Sequence, residues 1–185
     1  VTLSHLSLSA QLQDGTVVHG ESAITERGGS IERVLISPQD AAAYPVTLEA
    51  IHNADLIVIG PGSLYTSILP NLLVNGVTEA IEQSSATKLY VCNVATQKGE
   101  TEGYSVKDHV DALQQHTSDS IVEHIIVNEQ PQNTDLSHQK NQVPLDSSPL
   151  EGVTVIKDDI LDAQYPVRHN SLKLAQVIMD VYDGK

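Results

Sequence analysis

The stretch "ADLIVIGPGSLYTS", Ala54–Ser67, decides the fold, because an aliphatic run stops at Gly-Pro-Gly and hydroxyl side chains follow it. A short apolar run bounded by turn residues reads as a strand buried on both faces. Downstream, the helical spacing of "SILPNLLVNGVTEAIEQS" gives way to a strand, "KLYVC", then a helix, "SVKDHVDALQQH", then a strand, "IVEHIIV". Strands alternating with helix-length patterns predict a parallel sheet with right-handed crossovers and helices on both faces. A short helix, "VTLEAIHNA", precedes the first of these strands. After them, "VTVIK" predicts one more strand, and 170–182 a closing helix with Leu174, Ile178 and Val181 on one face.

Upstream the period is different. Residues 3–25 alternate polar and apolar around "QDGT", where Asp14-Gly15 suits the tight turn of an antiparallel hairpin with strands over 3–13 and 16–21. "ERGGS" predicts a flexible connection and "IERVLIS" a further strand. The segment 128–152, rich in Asn, Gln, Ser, Pro and Asp, predicts a long surface loop or lid. One α/β domain over 1–185, a mostly parallel sheet with an N-terminal β-hairpin, is the expected fold.

Composition narrows the function. The chain has 185 residues, 40% hydrophobic, with neither Phe nor Trp, so its core must be built from Val, Ile, Leu and Ala with an occasional Tyr. A net charge of −14, with Lys and Arg scattered singly, disfavours nucleic acid and anionic membranes as partners. The lone Cys92, between apolar strand residues, predicts a buried thiol and excludes an intrachain disulfide. "LIVI" is too short to cross a bilayer and no basic-then-apolar leader opens the sequence, so the expectation is a cytoplasmic protein without membrane insertion. A homo-oligomer stays open, and no cofactor is implied.

A strand ending in Gly60-Pro61-Gly62-Ser63 before a helix start brings main-chain N–H groups together, which suits an anion. Ser63, Tyr65, Thr66 and Ser67 add uncharged hydroxyl donors, a combination suited to a phosphate or a sugar. A simple tight turn with a capped helix is the competing reading. The stretch lacks the Gly-Lys-Ser/Thr of a nucleoside-triphosphatase loop, carries Tyr65 where a dinucleotide fingerprint needs glycine, and is no nucleophile elbow. Ser63 therefore reads as a binder, and no catalytic residue is assigned.

If "DLIVI" and "KLYVC" are parallel neighbours, their C-terminal ends share one edge, where ligands of open α/β sheets bind. That places Asn93, Thr96 and Gln97, followed by Gly99, Glu100 and Thr101, beside the Gly-Pro-Gly turn. Arg168, just ahead of a helix that Asn170 or Ser171 can cap, is a candidate phosphate partner, or else a surface arginine paired to a carboxylate. His109 and His116 lie seven apart on one helix and form no metal set. Asp158-Asp159 could bind a cation, although a strand-ending pair of acids more often reads as a solvated turn or helix cap.

In order and spacing, "GPGSLYTSILPNLLVNGVTEAI", "YVCNVATQKGETEGYSVKDHVDAL" and "RHNSLKLAQVI" resemble the CofD-like family, and within it the YvcK-type branch of gluconeogenesis factors. The resemblance implies a Rossmann-like three-layer sandwich that binds a UDP-sugar such as UDP-N-acetylglucosamine, or another phosphorylated small molecule. It further implies a role in carbon-source adaptation and cell-shape control without established catalysis. The sister CofD branch transfers a phospholactyl group to a deazaflavin, and its turn resembles Gly-Pro-Ser-Asn where this chain has Gly60-Pro61-Gly62-Ser63. By the same resemblance the turn Gly60 to Ser67 and Asn93, Thr96 and Gln97 would line the ligand cleft, with Arg168 at the nucleotide end. Ala95, Lys98 and Asn170 depart from the branch's usual Met, Pro and Asp. The family's opening Gly-rich loop and Asp-Asp-Gly segment have no counterpart here, so the chain resembles the later part of the family protein.

Overall fold

The computed structural model describes residues 1–129, 141–146 and 149–184, so most of the loop or lid expected over 128–152 lies outside the described residues. The N-terminal hairpin is present: β1 (Ser7–Leu12) and β2 (Val17–His19) pair antiparallel across Asp14-Gly15. Asp14 Oδ1 accepts the Thr16 amide at 2.9 Å, and Gly15 takes a φ of 82°, a value that costs a residue with a Cβ. Both strands are shorter than the alternation suggested. Residues read as the hairpin's end and the start of a flexible link form a helix instead, α1 (Glu21–Arg27), which buries Ile24. β3 (Ile31–Ser37) then pairs with the other edge of β1, so the small sheet runs β2-β1-β3.

The second half alternates as the sequence implied. α2 (Pro45–His52) leads to β4 (Leu56–Ile59), and a wide helical turn, Leu64–Ile68, runs into α3 (Leu69–Leu72) and α4 (Val77–Gln83). β5 (Thr87–Val91), α5 (Val106–His116), β6 (His124–Asn128), β7 (Thr154–Asp158) and α6 (Ser171–Tyr182) complete the described elements. The large strands are all parallel, in the order β4-β5-β6-β7. Strand order that follows chain order keeps right-handed crossovers on one face.

Alternate side chains of β5 and β6 accordingly serve two cores. Tyr90, Ile125 and Val127 join Leu69, Ile81 and Leu113 of the helices, and this cluster continues through Ala10, Leu12 and Val34 of the antiparallel sheet. On the opposite face Leu89, Val91 and Ile126 meet Leu174 and Val177 of α6. The architecture is a Rossmann-like α/β sandwich with an antiparallel sheet attached. No described helix is long and apolar enough to cross a membrane.

Several polar groups at the junction of the two sheets find partners, although His109 Nε2 and Tyr90 Oη have none among the described residues. Tyr65 and Tyr104 hydroxyls lie 2.7 Å apart, and burial raises the Tyr65 phenol far above its ordinary range. The Val34 amide donates to His116 Nε2 at 3.1 Å, which fixes the proton on Nδ1, where it is donated to the Ala112 carbonyl at 2.7 Å. His109 is fully buried and donates Nδ1–H to Ser105 O at 2.8 Å.

Burial holds His109, His116 and His169 below the usual imidazole range. In the unfolded chain such rings charge below about pH 6.5. The unfolded state then binds protons that the folded state refuses, so stability is present above that pH and is lost as pH falls through it. The slope is about 1.4 kcal/mol per pH unit for each ring kept neutral. Thermal melts should show Tm dropping between about pH 7 and about pH 5, ahead of the carboxylates. A flat profile over that window would mean the rings charge inside the fold.

Candidate functional site

The candidate site grows from the end of β4. Gly60 takes a φ of 84°, and a Cβ there would come within 3.1 Å of the Val91 carbonyl oxygen and 3.2 Å of Ile68 Cδ1, so the chain turns directly beneath the end of β5. The Gly60–Pro61 peptide is cis. The Ser63 carbonyl then accepts both the Ser67 and the Ile68 amides at 2.9 Å, which widens the first helical turn. Among the described residues, the amides of Gly62 and Ser63 donate to no protein acceptor.

That widened turn sorts the hydroxyl residues. Ser63 and Ser67 face a cavity of about 710 Å³, together with Pro61 and Gly62. Tyr65 and Thr66 do not: both are buried, Tyr65 against Tyr104 and Thr66 donating to Glu100 Oε1 at 3.0 Å. The cleft role expected for these two residues is therefore corrected to an inward, structural one. Gly60 lies behind the turn and shapes it without lining the cavity.

The second loop follows β5 and sits beside the first, as the parallel pairing of β4 with β5 requires. Asn93 and Gln97 line the same cavity. Gln97 Nε2 donates to Ser63 Oγ at 2.8 Å, a direct side-chain bridge between the two loops, and Asn93 Nδ2 donates to Gln97 Oε1 at 3.4 Å. Gln97 is itself held, its amide donating to Thr101 Oγ1 at 3.0 Å and its carbonyl accepting the Glu100 and Thr101 amides. Thr96 does not line this cavity: its amide and hydroxyl both donate to the Asn141 carbonyl, at 2.7 and 3.3 Å, beside the antiparallel bridge between Ala95 and Gln142.

The third wall is the approach to α6. Arg168 and His169 line the cavity, and Asn170 caps the helix by accepting the Leu172 and Lys173 amides at 3.1 Å. The Arg168 main chain is pinned by bonds to Tyr165 and Asp162, and its guanidinium sits 5.5 Å from the Tyr165 ring centroid. No described carboxylate pairs with it by a salt bridge. Sequence reasoning missed the apolar part of this wall, Val94 and Ala95 opposite Leu174, Ala175 and Ile178. The signal was available: Leu174 and Ile178 are four apart on a helix that starts at the site, so the face packed on the sheet also reaches the cavity.

Elsewhere the chemistry is quiet. Cys92 is buried, and burial pushes its thiol up to about 12, which leaves it unreactive. Asp159 is paired with Lys173 at 2.7 Å. Among the described residues, no three His, Cys, Asp or Glu side chains converge to hold one metal ion.

Known proteins resemble this chain in sequence and fold. A family model described as 2-phospho-L-lactate transferase CofD matches residues 1–161, which takes in both loops of the cavity. A gluconeogenesis factor of Halalkalibacterium halodurans is 44% identical over 181 residues, covering 94% of this chain and 56% of that protein. A gluconeogenesis factor of Bacillus subtilis strain 168 is 42% identical over 182 residues, covering 94% and 57%. A crystal structure of a Bacillus halodurans protein superposes with a TM-score of 0.89 at 44% identity, over 96% of this chain and 60% of that one. The chain therefore spans a little over half the length of these relatives. The family-model match over most of the chain and these identities make it a member of the CofD family, with relatives that carry the name gluconeogenesis factor.

Proposed function

We propose that this cavity holds the diphosphate of a nucleotide sugar, UDP-N-acetylglucosamine first among candidates, and that binding is regulatory and not catalytic. The setting would be the cytoplasm, in carbon-source adaptation and cell-shape control. One observation carries the reading: in a chain rich in Asp and Glu, none of the described acidic residues lines the cavity, which instead holds Arg168, His169 and neutral polar groups. In so acidic a protein, a concave surface free of carboxylates favours an anion. The opposed apolar wall suits a base or the face of a sugar, and about 710 Å³ falls within the ordinary size of small-molecule sites.

Arg168 is exposed and its main-chain bonds survive truncation, so Arg168→Ala should leave Tm nearly unchanged. Loss of a charge-assisted bond to phosphate should weaken UDP-N-acetylglucosamine binding about 10- to 100-fold. Titration calorimetry reads both proteins directly. Equal affinities would reject the site as assigned.

The family model's description favours one second reading, transfer of a phospholactyl group. Product formed by this protein from a deazaflavin acceptor and an activated phospholactate, with divalent metal supplied, would establish it.

A further inference from the structure

We infer that His169 is a ligand-contacting residue of this cavity that is neutral in the free protein and takes up a proton when a diphosphate binds. This rests on the nucleotide-sugar reading of the same cavity and adds the regulation that reading lacks. The ring is held from two sides. Its main chain bridges to Leu161, and its Nε2 lies 3.1 Å from the Cys92 carbonyl at the end of β5. A carbonyl only accepts, so the proton of the neutral ring is on Nε2 and the lone pair is on Nδ1. Nδ1 has no protein partner among the described residues, and the ring lines the cavity between Arg168 and the start of α6.

The surroundings explain why the ring waits for its counter-charge. Arg168 precedes it on its own segment. From α6 the nearby charge is Lys173, already paired with Asp159 at 2.7 Å. From β5 it faces Cys92, uncharged because burial keeps the thiol protonated, and Asp146 lies near enough to act on that thiol. In the second loop, Glu100 is engaged with Thr25 and Thr66, and no described carboxylate lines the cavity. Burial thus lowers the proton affinity of the free ring, and the bond to the Cys92 carbonyl opposes it only in part.

A diphosphate oxygen beside Nδ1 reverses the balance. A lone pair facing an anion makes no bond, whereas an imidazolium Nδ1–H donates a charge-assisted one. By linkage, a proton bound on complex formation means tighter binding at lower pH, by up to about tenfold per pH unit between the free and bound pKa values of the ring. The probe should be UDP-N-acetylglucosamine, whose diphosphate is esterified at both ends and does not itself titrate near neutrality.

Calorimetry between about pH 6 and about pH 8, in buffers of different ionisation enthalpy, counts the protons. Wild type should take up close to one proton per ligand over part of this range, and His169→Gln should take up none while binding roughly tenfold more weakly at the acid end. Because glutamine also alters the Cys92 contact, ring-labelled NMR of wild-type His169 provides the second measurement: ligand should raise its pKa by a unit or more. Binding without proton uptake, uptake that persists in His169→Gln, or an unmoved His169 pKa overturns the inference and leaves the nucleotide-sugar site standing. Wild type that fails to bind the probe at all overturns both.

Discussion

Gly99→Ala should be among the most destabilising single substitutions in this protein, costing about 4 kcal/mol or more. Gly99 takes a φ of 81°, which alone costs an alanine about 1–2 kcal/mol. Steric overlap costs more than the backbone strain. An added Cβ would sit on the carbonyl oxygen of Thr25, far inside contact distance, and 3.0 Å from its carbonyl carbon. Both atoms are main chain, so no rotamer change relieves the clash; α1 and the second loop must separate. Separation would also break the bond from Thr25 Oγ1 to Glu100 Oε1 at 3.1 Å and disturb the turn in which Gln97 O accepts the Glu100 amide. Gly103 supplies the control, because it has a φ of 78° with nothing within 4 Å of its added Cβ. Gly103→Ala should lose only about 1 kcal/mol. Urea denaturation of the two variants separates strain from overlap, and equal losses would refute the close docking of α1 on the loop.

That docking is also where sequence reading ran out. The parallel sheet was legible because its signals are long and repeated: aliphatic strands at helix-length spacing, with Leu89 and Tyr90 each buried on opposite faces. The hairpin was legible because Asp14-Gly15 has few other uses. α1 was not, since a seven-residue helix with no side-chain cap and one buried residue, Ile24, offers no period to count. The cavity was half legible. Two loops following neighbouring parallel strands must meet, so Ser63, Asn93 and Gln97 came together from topology alone. The facing of Tyr65 and Thr66 depended on a turn widened by one residue, with the Ser63 carbonyl shared between two amides. A sequence does not declare that extra residue, so hydroxyls adjacent in the chain were assigned to one surface when they occupy two. Thr96 failed for another reason: its partner, Asn141, lies 45 positions away, across a segment with no sequence period.

Gly62→Val should remove nucleotide-sugar binding while sparing the fold. Gly62 does not take a positive φ, and an added Cβ would stand 3.5 Å from Ser67 Cβ and 3.7 Å from Ile68 Cγ1, which are ordinary contacts. Stability should therefore change by no more than about 1 kcal/mol. The effect on binding is different in kind, because Gly62 lines the cavity beside Ser63 and the main-chain amides of both residues lack acceptors among the described residues. An oxygen anion reaches such amides only when no side chain stands in front of them, and two γ-methyl groups take up that space. A loss of at least about 100-fold is expected, equivalent to about 2.7 kcal/mol. Gly62→Ala, with one methyl in a site that admits it, should fall between wild type and valine. The graded series distinguishes main-chain recognition from charge alone: Arg168→Ala removes the cation and leaves the amides open, while Gly62→Val keeps the cation and closes them. If the valine variant melts and binds like wild type, the ligand is held by the cation wall, and the Gly-Pro-Gly turn serves only to bend the chain.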